Sequence, residues 1–479
     1  MKKNFLIAVA VAALMLATTV AQAADVSFSG QFRPRWQSSE DFDDTTNARN
    51  YFTTRARLNA NAKINANTSV FLQFQSIGIW GNDTSITGAG AGTNDNGTRS
   101  STGDAASASD GLADVGFHQA YVTLKNFMGQ AVDAKIGRQQ VVLDGHRLFG
   151  HTGWTDGGQS SDAIRLDHAA GNHTLSYVYV AGIENEGTTT ATSANTNFHV
   201  FRANTQGVLG GDLTGMFVVV DDEATGGTGF DDNNQWYTLG ARQKGKLGGL
   251  DYRVEYYHQF GDGAVDANNT TFTGAYTSLT DSADVDRDAS MFGIRIGKTF
   301  KNAKMSPTFT LWFDSLSGTD DSDAAGGDFG TFNTLMDTGH KFYGAMDQYL
   351  SAVGAGSDYY GLQDFAIKTK FKVSDANTFK ADFHHFQTQT VMDDGDSDTL
   401  RSNDTNQGSA TTGTINGDLG QEIDLTLVHK YDSNTKIVAG YSHYFSTQAF
   451  SIMRQGNYNS NDDSDWMYVM VDTDRKSVV

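Results

Sequence analysis

The stretch "YFTTRARLNANAKIN", residues 51–65, alternates between two kinds of side chain. Phe52, Ala56, Leu58, Ala60, Ala62 and Ile64 fall on one side of the alternation, and Thr53, Arg55, Arg57, Asn59, Asn61 and Lys63 on the other. A period of two is that of an extended strand with one apolar and one polar face. The polar face carries several bases, unlike a packed core. Such a strand stands between an apolar medium and a wet one.

The same grammar extends outward from this stretch. In "DVSFSGQFRPRWQ", residues 25–37, Val26, Phe28, Phe32 and Trp36 alternate with Ser27, Gln31, Arg33 and Arg35. It recurs at 250–259, 290–300, 364–373, 378–386 and 422–428. Short connections at 65–68, 126–130, 169–171, 206–211, 245–248, 301–304, 374–376 and 432–434 alternate with long ones near 39–50, 81–114, 144–160, 183–195, 222–233, 261–288, 316–360, 390–419 and 447–463. That pattern gives about 18 strands, with short turns at one end and long loops at the other. The strands run about 10–13 residues, enough to cross a bilayer when tilted, whereas strands of soluble proteins average about 5–6. A soluble sandwich or β-helix fits this less well than an all-β, antiparallel, up-and-down transmembrane barrel. A bilayer leaves no backbone group unsatisfied, so the first strand must close on the last, near 466–472. An interior that wide is expected to hold an aqueous channel. Trp36, Phe52, Trp80, Trp236, Tyr237, Trp312 and Trp466 lie near strand ends, where interfacial girdles form.

Composition agrees. The chain has 479 residues, with 52 glycines, two prolines and no cysteine. Scarce proline suits long ladders, to which proline cannot donate. The first 23 residues read as a secretory signal peptide, with a basic start, an apolar stretch and Ala21-Gln22-Ala23 at the cleavage point. The rest, 24–479, reads as one barrel. Its strands enter the outer membrane of a Gram-negative-type cell as a multi-pass barrel, in contact with outer-membrane lipid and with the barrel-assembly machinery as partner. The net charge of −21 argues against nucleic-acid binding.

The acidity is not in the walls. Arg33, Arg35, Arg55, Arg57, Lys63, Arg165, Arg253, Arg295, Lys370, Lys372 and Lys380 fall on the polar face, with Glu255, Asp382, Glu422 and Asp424 among the fewer acids there. These residues are expected to line the channel. Pairing strands 1 and 2 symmetrically about their loop sets Arg33 opposite Arg57 and Arg35 opposite Arg55, a like-charge contact that needs compensation. One reading is a basic track for anionic solutes. The other is the mixed charge of any porin lumen, screened over about 10 Å in salt.

No enzymatic constellation is legible: the chain has no G-x-S-x-G, no phosphate-binding loop and no H-E-x-x-H. His384 and His385 are strand neighbours and point to opposite faces, so they do not form one metal site. The Asp-rich loops lack the ligand spacing of a calcium-binding helix-loop-helix. No cofactor or metal is implied.

One stretch breaks the alternation. In "IGRQQVVLDGHRLFGHTGWTDGGQSSDAIRL", residues 136–166, Arg138, Asp144, His146, Arg147 and Trp154 crowd among glycines. It reads as the upper part of a strand followed by a compact loop that narrows the pore, with Arg138, Asp144 and Arg147 as polar anchors. Gly137-Arg138-Gln139, Gly145-His146-Arg147-Leu148, Trp154 and Asp162-Ala163-Ile164-Arg165-Leu166 resemble the signature of the alginate-export family. The segments "GHKFYGAMD" (339–347) and "LGQEIDLTLVHKYDSNTKIVAGYSHYF" (419–445) are similar to family segments too. Gln159 and Ser161 stand where the family has Arg and Phe. The resemblance implies an 18-stranded outer-membrane barrel and a channel through which anionic polysaccharide passes passively. The functional expectation is a porin-like channel for passive diffusion of small hydrophilic solutes or saccharides, with an anionic preference. The alternatives are a structural or adhesive barrel, or a partner of surface proteins, with a plugged lumen, and a barrel-embedded lipid enzyme.

Overall fold

The computed structural model describes residues 25–40, 48–80, 115–183, 196–222, 234–263, 285–319, 328–350, 357, 359–390, 392–393, 414–415, 417–455 and 462–475. The expected signal segment, 1–23, and most of the acidic loop stretches lie outside them. Among the described residues, eighteen long strands run antiparallel in chain order. They are β1 (Asp25–Ser39), β2 (Arg49–Lys63), β3 (Thr68–Ile79), β4 (Val115–Leu124), β5 (Asp133–Gln139), β6 (Ser161–Ala170), β7 (His173–Ile183), β8 (Thr196–Val208) and β9 (Gly211–Asp222). The second half holds β10 (Asn234–Leu247), β11 (Leu250–Asp262), β12 (Asp286–Thr299), β13 (Thr308–Leu316), β14 (Leu362–Lys372), β15 (Asn377–Gln387), β16 (Asp418–Lys430), β17 (Thr435–Ser446) and β18 (Ser464–Arg475). Each pairs with the next, and β18 returns to β1 from Gly30↔Arg475 to Ser39↔Trp466, so the sheet closes. Closure removes the unpaired edges that a bilayer would not tolerate.

Local chemistry sets the turns. Gly248 and Gly249 both have positive φ, 59° and 79°, and join β10 to β11 directly after Leu247↔Leu250. Two left-handed residues in a two-residue loop match the twist of the flanking strands, and glycine meets that demand without a Cβ clash.

Alternation fixes the faces. Along β1, Phe28 and Phe32 are exposed on the outside while Arg33 and Arg35 are buried inside. The exposed belt includes Leu58, Ile164, Phe201, Leu239, Phe292, Leu311, Phe365 and Val469. On its outer surface Tyr177, Phe201, Phe217, Tyr237 and Phe260 pack ring to ring across five strands. Trp80 stacks on Phe52 on the same outer face. Trp236, Trp312 and Trp466 do not join this girdle. Their positions share the inward parity of Arg242, Asp314 and Asp472, so they point into the barrel. Proximity to a strand end does not decide which face a side chain takes; parity does.

The interior is not an empty tube. Residues 140–160, between β5 and β6, fold inward, as do 328–350 of the connection between β13 and β14. The two segments run side by side, with Met336 donating to Leu148 and Gly150 donating to Met336, at 2.9 and 2.8 Å. Leu148, Phe149, Phe332, Leu335 and Phe342 pack against inward wall residues Val178, Val200, Met216, Val218 and Met291. A short helix, α1 (Gln448–Gln455), adds Ala449, Phe450 and Met453 to the same core. This core fills the lumen along β6–β13 and reaches the loop end of β14–β17 through Leu362, Phe386, Leu419 and Tyr444.

Candidate functional site

The open side of the lumen faces β1–β3 and β14–β18. Two cavities occupy it, of about 1010 Å³ towards the short turns and about 500 Å³ towards the long loops. Trp154, Ala345 and Trp466 line both, so the two meet there. Trp154 stacks on His340 with ring centroids 4.5 Å apart and planes 4° apart. Its edges meet Tyr468 and Trp466 at 4.9 and 5.8 Å. The Arg35 guanidinium lies 4.9 Å from the Trp154 ring.

The wall arginines hold this waist. Arg33 of β1 stands opposite Arg55 of β2, Gln31 opposite Arg57 and Arg35 opposite Thr53. The register therefore differs by two residues from symmetric pairing about the loop, because the strands reach Ser39↔Arg49 and leave a shorter connection. A shift of two preserves parity, so all four arginines still point inward. Their like charges are compensated by the inward loop. Arg33 donates to the carbonyls of Gly153, Trp154 and Thr155 at 2.9–3.0 Å. Arg55 donates to the carbonyls of Gly153 and Thr155 and to the Gln31 side chain. Arg33 and Arg35 bind the two oxygens of Asp156 at 2.8 and 3.0 Å. Burial opposes the charge of Asp156, but Arg35 and Arg33 outweigh it and hold the carboxyl below its ordinary range. Arg57 reaches Gln75, His118 and the Gly157 carbonyl.

The larger cavity is basic. Arg33, Arg55, Arg57, Lys341, Lys368, Lys370, Lys380 and Lys436 line it, against Asp382, Asp424, Asp472 and Asp474. Lys370 faces Lys380 across the β14–β15 pair. Lys368 lies 3.7 Å from Asp382, and Lys436 3.0 Å from Asp472. The smaller cavity reverses the balance, with Arg35 against Glu40, Asp156 and Asp347. His146 and His151 also line the larger cavity; burial first, then nearby cations, push both down, His146 to about 4.

Several expected lining residues lie elsewhere. Arg253, Glu255 and Arg295 sit in a buried cluster beneath the loop. There Arg147, 1% exposed, binds Glu255 at 3.2 Å and Asp314 at 2.5 Å. Burial works against this charge, yet Asp314 and Glu255 hold Arg147 ionised, well above its ordinary value. Arg295 pairs with Asp314 at 3.3 Å and Arg253 with Glu255 at 3.3 Å. Glu422 is fully buried and accepts from the backbone nitrogens of Ala345 and Met346, so it holds the second inward segment in place. Arg165 pairs with Asp167 on its own strand. Lys63 and Lys372 are exposed at the turn end, and none of these three borders either cavity. Arg138 is not an anchor of the loop. Its register partners are Ala120 and Asp162, on the face of exposed Ile164, and it pairs with Asp162 at 3.1 Å. Asp144, His146, Arg147 and Trp154 do lie in the inward segment, with Asp144 bound to Arg202 of β8 at 2.7 Å.

Sequence reasoning missed Lys436, Asp472, Asp474 and Tyr468. The inward parity of β17 and β18 carried that signal. Asp156, His340 and Lys341 had no periodic signal, because they sit in irregular segments.

The alginate-export family model matches residues 24–461. Solved structures similar in fold include OccK2 (OpdF) of Pseudomonas aeruginosa in complex with glucuronate, with a TM-score of 0.52 and 11% identity over 95% of this chain and 97% of that one. OccAB2 of Acinetobacter baumannii gives a TM-score of 0.53 and 11% identity over 94% and 98% of the two chains. OpdK of Pseudomonas aeruginosa with vanillate gives 0.53 and 9% over 94% and 98%. No curated protein sequence matches the chain.

Proposed function

The chain belongs to the alginate-export family of outer-membrane channels, and from that premise we propose that it passes small hydrophilic anions by passive diffusion along the open side of its lumen. The observation that carries the anionic part is the larger cavity, with eight Lys or Arg side chains against four Asp. A cavity of about 1010 Å³ keeps an ion at its centre roughly 6 Å from the wall, within the Debye length of about 8 Å at physiological salt. Screening therefore does not erase the wall's sign there. Selection follows from width at the Trp154 waist and from charge beyond it.

A solute enters the smaller cavity from the loop side, crosses the waist, and meets Lys368, Lys370, Lys380 and Lys436 on the turn side. The route needs no cofactor. Glucuronate and vanillate, named with two of the fold neighbours, are both small carboxylates, which supports this solute class. Residues 1–23 direct export and are removed, 24–479 form one barrel unit, and the barrel-assembly machinery inserts it into outer-membrane lipid.

The test is reversal potential in a planar bilayer under a salt gradient. The native channel should favour anions. Changing Lys368, Lys370, Lys380 and Lys436 together to Gln should move the reversal potential toward the cation side. An unmoved potential rejects the anionic reading, and negligible conductance in a folded barrel favours a plugged, adhesive role.

A further inference from the structure

Of the three buried wall arginines at the waist, two share one carboxylate. Arg33 and Arg35 each take an oxygen of Asp156, while Arg55 finds carbonyls and Gln31. A carboxylate bridging two guanidiniums is the contact that a small organic acid would make in the same place. Asp156 lines the smaller cavity, and Arg33 lines the larger one. The bridge therefore stands between the solute's way in and the basic cavity.

The segment that carries Asp156 has a fixed root and a glycine-rich end. Leu148 and Phe149 are locked in the core, and Gly150 is bonded to Met336. Beyond them, Gly153 precedes Trp154-Thr155-Asp156, and Gly157 and Gly158 follow it. Glycine gives both ends of this strap access to backbone conformations closed to other residues. The same strap presents Trp154 to the waist.

We infer that Arg33 and Arg35 form a carboxylate-binding site whose resident occupant is Asp156, and that a small carboxylate solute displaces it and lifts Trp154 from the waist. The inference rests on the anion-channel reading and names the residue that sets the threshold for its solutes. Exchange of one carboxylate for another leaves the guanidiniums paired throughout. The strap's carbonyl contacts have charge on one partner only, whereas the Asp156 contacts have it on both, so losing Asp156 removes the strongest of the strap's ties to the wall. A tethered occupant competes at an effective concentration on the order of millimolar, so carboxylates act in that range.

The test uses the full chain in planar bilayers at constant ionic strength, with potassium acetate or potassium glucuronate replacing part of the potassium chloride on the loop side. In the native channel, carboxylate should raise the time spent at a higher conductance level, with half-effect on the order of millimolar. Asp156→Asn should occupy that level without carboxylate, and carboxylate should then only lower its current. Asp156→Glu should restore the native response. A carboxylate response identical in the native channel and Asp156→Asn, or absent from the native channel, overturns the inference. Loss of anion preference in the salt gradient overturns the channel reading beneath it, whereas anion preference with identical carboxylate responses overturns the inference alone.

Discussion

The two sides of the lumen are built from the same alternating strands and end up opposite in character. On the β6–β13 side, inward charges are dry and matched: Arg147 lies between Glu255 and Asp314, and Arg295 joins them. On the β14–β18 side the turn half stays open to the larger cavity, where Lys370 is set against Lys380, while nearer the loops Asp364, His384 and Glu422 are buried as well. The difference lies in what covers them. The inward loop brings Leu148 and Phe149 onto the first wall and seals its charges under an apolar core. An inward position in a barrel therefore makes a residue interior, but only an uncovered one lines the channel.

The largest expected effect breaks the dry side. Arg147→Met removes the most deeply buried cation from Glu255 and Asp314 and leaves Arg253 and Arg295 to pair with them, so the loss should be large but below the about 3–5 kcal/mol of a buried charge left wholly unpaired. The variant should lose its compact, heat-resistant gel mobility at a clearly lower temperature than the native barrel. Lys370→Gln with Lys380→Gln should not lower it, since that change removes a like-charge contact facing water. Equal losses in the two variants would mean that the two walls do not differ as described.

A smaller effect is expected at the waist. Trp154→Ala removes the ring that both cavities share and that His340, Tyr468 and Trp466 surround. Single-channel conductance should rise about twofold, on the reasoning that pore width sets passage here. Anion preference should persist, because the lysines of the larger cavity are untouched. Unchanged conductance would place the narrowest point elsewhere.

The barrel was legible because its physics is local. Parity in β1 and β2 placed Phe32 outside and Arg33 inside, and the positions of the short turns marked every crossing. What parity cannot carry is coverage. Arg253 and Lys370 read alike in their strands, yet one is sealed by a segment more than a hundred residues away in the chain and the other is open. The break in alternation at 137–159 marked the inward loop, but its partner segment, 328–350, offered only the motif around Gly339. Asp156, the carboxylate that Arg33 and Arg35 hold, stands in an irregular run where no period points to a neighbour. Arg138 differs: its arginine suggests an anchor, while its even position in β5 puts it on the outer face with Asp162.

The smallest expected effect concerns pH and separates the two sides once more. Asp337 follows Met336 in the second inward segment, and burial raises its carboxyl to about 7. A carboxyl raised on folding binds its proton more tightly in the packed state, so its contribution is full below the ordinary carboxylate value and is lost as pH rises through about 7. The packing of 328–350 onto the first loop should therefore loosen between pH 6 and pH 8. Amide hydrogen exchange in that segment should speed up a few-fold over this interval, beyond the intrinsic chemical dependence. Asp337→Asn should remove the excess. On the wet side, burial keeps His146 neutral down to about 4, and Arg35 and Arg33 keep Asp156 ionised, so neither carries a response in this window. Exchange that accelerates around 152–158 instead would move the pH response to the waist and leave Asp337 a bystander.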